Sequence, residues 1–172
     1  MCGEGRRSIG LFLLASTLQV DLAFWLPSEF GAIGPSFRLI FGDANERAPA
    51  PPAAGDHIGM AWLYALHVRS SIARGRLWQA EYMLSGMRDS VLAIACARCG
   101  LPAHQGRGMD DLPSEVLLPL TQALVGSLEV PELERAFHVT MEALLRELEY
   151  ADAGMSSRMA DTLRALPADP RP

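Results

Sequence analysis

The chain has 172 residues, of which 49% are hydrophobic and 20% charged; that is enough apolar material for one domain, or for a small β unit plus a helical bundle, and too much for a disordered chain. The net charge is −5 and all 15 basic residues are Arg, an acidic balance that weighs against non-specific nucleic-acid binding and against adhesion to a membrane surface. Three cysteines, Cys2, Cys96 and Cys99, are too few for a disulfide framework and fit a reducing, cytoplasmic compartment.

Arg6-Arg7 followed by the apolar run 9–15 has the outline of an export leader. The run is too short to span a bilayer, and it is followed directly by a second apolar run at 18–25. Two such runs around Ala15-Ser16-Thr17 predict a β-hairpin. A hairpin by itself is marginal in water and needs further strands or a helix to cover it. Residues 26–42 read as a loop that packs its own aromatics. The stretch 43–55 is a Pro/Ala-rich linker, extended and semi-rigid. The expected domains are thus a partial sheet over 1–42, the linker, a helical bundle over 56–166 and a disordered tail over 167–172.

From Asp56, a candidate N-cap, the period becomes helical. The first helix is expected to run to Ala73 and stop at Gly75. In the second, Leu77, Ala80, Leu84, Met87, Val91, Ile94 and Arg98 recur at three- and four-residue steps on one face, ending at Gly100 with Pro102 beyond. After a loop at 101–113, Ser114 is expected to cap a helix over 115–127 that Pro119 bends or delays. Pro131 opens another helix to about Ala153, and a last one covers 156–166. The short connections suggest an antiparallel bundle. The fold class is therefore α+β, mostly α.

One acid interrupts the second strand run: Asp21 in Leu18-Gln19-Val20-Asp21-Leu22-Ala23-Phe24. A carboxylate among apolar residues is costly to desolvate unless it meets a cation, which makes Asp21 a candidate metal ligand. On the second helix, Trp78, Glu81, Tyr82, Ser85, Arg88 and Asp89 share one side. An aromatic-flanked Glu81 suits a general base, and a solvated outer face explains the same pattern. On the first helix His57, Met60, Tyr64, His67 and Ser71 share a side. They suit ligand orientation, or a histidine-lined helix contact. Cys96-x-x-Cys99 with His104 gives three zinc ligands where four are needed, and buried Cys is also a small hydrophobe. In 103–113, glycines flank Arg107, a geometry for forking onto phosphate or for a turn in which Arg107 pairs with Asp110 or Asp111.

Thr17-Leu18-Gln19-Val20-Asp21-Leu22-Ala23-Phe24, then Glu29-Phe30-Gly31 and Gly34-Pro35-Ser36-Phe37-Arg38, resemble the later strands of bacterial nucleotidyltransferases. Trp62-x-Tyr64-Ala65-Leu66-His67-x-Arg69-Ser70, Gly75-Arg76-Leu77-Trp78-Gln79-Ala80-Glu81-Tyr82, Gly100-Leu101-Pro102 and Arg107-Gly108-x-Asp110-x-Leu112-Pro113 extend the likeness over most of 12–166. The family is that of aminoglycoside and lincosamide adenylyltransferases. The resemblance implies a sheet with three carboxylates, two of them in an Asp-x-Asp after a Gly-Ser turn. They hold two Mg²⁺ ions that clamp a nucleoside triphosphate such as ATP, while an acceptor hydroxyl attacks the α-phosphorus and pyrophosphate leaves. Asp21 matches the third carboxylate, as metal ligand. Glu81 is implied to take the hydroxyl proton, with Trp78, Tyr82, Arg88, Arg107 and His67 as substrate- or nucleotide-binding candidates. Nothing upstream of Asp21 matches Gly-Ser or Asp-x-Asp, and one carboxylate holds two divalent ions poorly. The chain by itself is therefore expected to be incomplete and without transferase activity.

Two other functions compete. A lone hairpin leaves an unpaired edge and bare apolar area, which favours a non-catalytic, homodimerising module. Arg98-x5-His104 has the spacing of a helical-bundle ribonuclease, although Gly100 and Pro102 break the helix between the two residues and the acidic charge is wrong for RNA.

Overall fold

The structure, a computed structural model, describes residues 8–31, 37–45 and 55–167. Outside them lie Arg6-Arg7, most of the Pro/Ala stretch and all but the first residue of the C-terminal tail. The side chains of Asp21 and Asp56 also lie outside the description. The fold is α+β and mostly α, with five α-helices and one two-stranded sheet among the described residues. The chain divides into two compact units, Met1–Ala50 and Pro51–Pro172.

In the first unit, β1 (Ser8–Leu13) and β2 (Gln19–Phe24) pair antiparallel in a register running from Ser8 opposite Phe24 to Leu13 opposite Gln19. The turn closes through Leu14 N–H donating to the Leu18 carbonyl at 2.9 Å and Thr17 N–H donating to the Leu14 carbonyl at 2.9 Å. Thr17 takes a left-handed conformation, φ 67°. A three-residue hairpin loop requires that at its last position, and a β-branched residue adopts it at a cost. Beyond β2, Asn45 gathers the following loop. Its side-chain amide donates to the carbonyls of Pro27 and Phe30, both at 2.8 Å, and its own N–H donates to Phe30 at 2.9 Å. Phe30 and Phe37 meet edge to face at 6.0 Å, whereas Phe41 of the same loop is exposed.

The second unit contains α1 (Gly55–Ala73), α2 (Leu77–Cys99), α3 (Ser114–Gln122), α4 (Val130–Ala151) and α5 (Ala153–Ala165). Glycine at position 75, φ 67°, turns the chain from α1 into α2. Gly100, φ 69°, ends α2, and Leu101 N–H returns to the Cys96 carbonyl at 2.8 Å, a left-handed C-terminal cap that only glycine adopts without strain. The middle of the periodic stripe of α2 is the core face. Ala80, Leu84, Met87, Val91 and Ile94 are buried, and so are Val68 of α1 and Leu133, Phe137, Met141, Leu144 and Leu148 of α4.

Several helix ends differ from the sequence expectation: α1 begins at Gly55, so Asp56 lies within the helix instead of capping it, and α5 begins at Ala153 instead of 156. Ser114 is the first helical residue and Pro113 occupies the cap position, with no side-chain cap bond. Helix α3 passes through Pro119 but stops at Gln122 instead of 127. The reason lies in α4: Arg135 donates to the carbonyls of Gln122 and Leu124, while Glu132 accepts from Gly126 N–H at 2.9 Å. Those backbone groups are thereby satisfied outside a helix. Helix α4 ends at Ala151 because Asp152 leaves helical geometry and caps α5, its Oδ1 accepting from Met155 N–H at 2.8 Å.

Buried polar groups are mostly satisfied locally. Ser90 and Thr140 hydroxyls each donate to the carbonyl one turn back at 2.8 Å. The hydroxyl of the fully buried Ser71 makes no hydrogen bond. Among the described residues no helix is long and apolar enough to cross a membrane.

Candidate functional site

Three segments of the helical unit surround one cleft of about 760 Å³. Helix α1 contributes His57, Met60 and Tyr64, and α2 contributes Gly86, Asp89, Ser90 and Ala93. The 101–113 loop contributes Ala103, His104, Gln105, Gly106 and Met109. The volume falls in the range of small-ligand sites, and the lining mixes apolar with polar side chains.

The spacing of α1 explains its wall: His57, Met60 and Tyr64 follow at three- and four-residue steps and so share a face. The loop wall exists because Gly100 turns the chain back. Two 3₁₀ turns, His104–Gly106 and Met109–Asp111, then fold it against the bundle. Gly108 N–H donates to the Pro102 carbonyl at 2.8 Å, and a Cβ on Gly108 would stand 2.8 Å from that oxygen. Only glycine closes the loop there. Gln105 holds φ 56° and receives Arg107 Nη2 on its Oε1 at 2.9 Å.

The side chains singled out from the sequence divide among several places. His57 and Tyr64 line the cleft, as does Asp89; His67, on the same stripe, is exposed and does not. Trp78 and Tyr82 are 78% and 69% exposed and are not among the cleft-lining residues. Glu81 accepts from the Ser85 hydroxyl at 2.7 Å, and that hydroxyl accepts from Arg88 Nη2 at 3.0 Å. Glu81 and Arg88, like Trp78 and Tyr82, are not among the residues that line the cleft. Arg107 bonds Gln105, where the turn alternative paired it with Asp110 or Asp111. Asp21 stands in β2 opposite Leu11.

Arg98 and His104 line different clefts. The Arg98 guanidinium is engaged by Glu147 of α4 through Nε at 2.8 Å and Nη2 at 2.9 Å, and its Cζ lies 4.6 Å from the Tyr150 ring centroid. The hydrogen bond to Glu147 raises the Arg98 pKa above its ordinary value. Cys96 is buried, which pushes its thiol pKa up, and Cys99 is exposed.

Sequence reasoning missed Gly86, Ser90, Gln105 and Glu147. For Glu147 a signal existed, an acid inside the apolar stripe Leu144-Leu145-Leu148. For Gly86 and Gln105 there was none beyond their residue types. Among the described residues no group of three or more His, Cys, Asp or Glu side chains is placed to hold a metal ion. No family model matches this chain, and no curated protein or solved structure matches it either.

Proposed function

We propose that the protein is of the nucleotidyltransferase type and that its helical unit holds the small, hydroxyl-bearing acceptor. In a complete enzyme of that type a nucleoside monophosphate passes from a triphosphate such as ATP to the acceptor, with Mg²⁺. The observation that carries this reading is the cleft between α1, α2 and the 103–109 loop. Tyr64 belongs to one of the segments that carry the resemblance, and the lining of the cleft includes one carboxylate, Asp89, and the imidazoles of His57 and His104. A carboxylate accepts from hydroxyl or ammonium groups, and imidazoles both donate and accept, which suits an acceptor rich in hydroxyls and amines.

Asp21 is assigned the metal-ligand role and Glu81 the proton-accepting role by resemblance. The chain alone is assigned no transfer activity, because one carboxylate is a poor holder of two divalent ions. The test is calorimetric titration of the chain with kanamycin and with lincomycin, repeated with Asp89→Asn and His104→Ala. Binding that weakens in both variants supports the reading; equal binding in wild type and variants refutes it. Pyrophosphate release from Mg-ATP and acceptor by this chain alone would overturn the assignment of inactivity.

A second reading is favoured by the hairpin. Phe12, Leu22 and Phe24 are all exposed, Phe24 by 64%, and no third strand pairs with β1 or β2 among the described residues. Exposed apolar strands of this kind invite association of two copies. Sedimentation equilibrium tests it: a mass that stays monomeric at every concentration removes it.

A further inference from the structure

We propose that Gly86 is the specificity-determining residue of the α1–α2 cleft: it seats the Tyr64 ring directly on the α2 backbone and thereby sets the width of the cleft. This rests on the cleft being a ligand site.

A Cβ built on Gly86 would lie 2.8 Å from Tyr64 Cζ and 3.0 Å from both Cε atoms, whereas carbon atoms rest at about 3.5–4.0 Å. The phenol end of the ring thus occupies the space where every other residue would carry its side chain. Gly86 lies in the interior of the 23-residue helix α2, where glycine is the poorest helix former except proline. Its presence there is explained by the close approach it permits. Tyr64 and Gly86 both line the cleft, with Asp89 and Ser90 about one turn further along α2. An alanine methyl at position 86 moves the ring off α2 by about 1 Å, narrowing the space in front of the polar groups that a ligand has to reach.

Gly59 provides the internal contrast. It is also a helical glycine, in α1, but a Cβ there meets nothing within 4 Å. Gly59→Ala and Gly86→Ala gain the same helix propensity, and only the second disturbs the seat. The experiment is titration of the full chain with kanamycin for wild type, Gly59→Ala and Gly86→Ala. Gly86→Ala is expected to bind about tenfold more weakly, with unchanged far-ultraviolet circular dichroism, while Gly59→Ala binds as wild type does. Equal affinity in Gly86→Ala, or an equal loss in Gly59→Ala, overturns the proposal. The seat itself is read without ligand in the wild-type NMR spectrum. The Gly86 Hα protons, lying against an aromatic ring, must be displaced from their random-coil positions, and undisplaced resonances refute the seat. A wild type that shows the displacement and binds no kanamycin refutes the ligand site and the specificity role together, leaving only the packing contact.

Discussion

Arg98 and Glu147 form a pair whose two members are unequally dependent on each other. Glu147 keeps 6% of its side-chain surface and Arg98 keeps 32%. Without Glu147, the guanidinium turns to water and retains the Tyr150 ring beneath it. Without Arg98, the carboxylate stays buried with no counter-charge. Removing one partner of a buried pair costs about 3–5 kcal/mol. Because the Arg98 side is partly wet, Arg98→Met should cost about 3 kcal/mol and Glu147→Met about 1–2 kcal/mol. The double variant Arg98→Met with Glu147→Met should lose little, since replacing a whole buried pair by apolar side chains is often neutral. At roughly 2–4 °C per kcal/mol for a chain of this length, Arg98→Met lowers Tm by about 6–12 °C. Urea unfolding of the four proteins closes the cycle. Equal losses in the two single variants, or a double variant as unstable as their sum, would refute the unequal burial of the pair.

Thr17→Gly relieves a left-handed β-branched residue at the hairpin turn and should stabilise the hairpin by roughly 0.5–1 kcal/mol after the entropy of glycine is set against it, read as slower amide exchange at Leu14. Ser71→Ala removes a buried hydroxyl that has no hydrogen-bond partner and should raise stability by about 1 kcal/mol; a loss of stability would show that the hydroxyl is satisfied in solution. Glu132, held by the Arg135 guanidinium and then by Gly126 N–H, has its carboxyl pKa lowered from 4.5 to about 2. A depressed carboxylate contributes stability that is present above pH about 4.5 and is lost as pH falls towards 2. Glu132→Gln should therefore flatten the acid limb of the stability profile between those values, by a modest amount because the pair is partly open to solvent.

The helices were legible from local chemistry. The middle of the α2 stripe, Ala80 to Ile94, is the core face, while Leu77 and Arg98 at its ends are not buried, and Gly100 ends α2 as its position after the last periodic residue required. The errors fell at ends decided by groups far along the chain: α3 stops where Arg135 and Glu132 of α4 take its backbone groups. The candidate site was half legible. His57, Tyr64 and Asp89 were singled out by helical spacing, which reveals what shares a face but not which face meets which. Trp78, Tyr82 and His67 share faces equally well, yet they are exposed and do not line the cleft.

Composition and periodicity alone determined a chain that is mostly helical after a short hairpin, because burying apolar side chains at fixed intervals is a local requirement of each element. Tertiary structure alone decided that α1, α2 and the loop after Gly100 enclose a cleft, that Arg98 belongs to Glu147, and that Tyr64 rests on Gly86. Each of these joins residues separated by many turns of chain. Such contacts depend on packing and desolvation across elements, which no window of sequence contains.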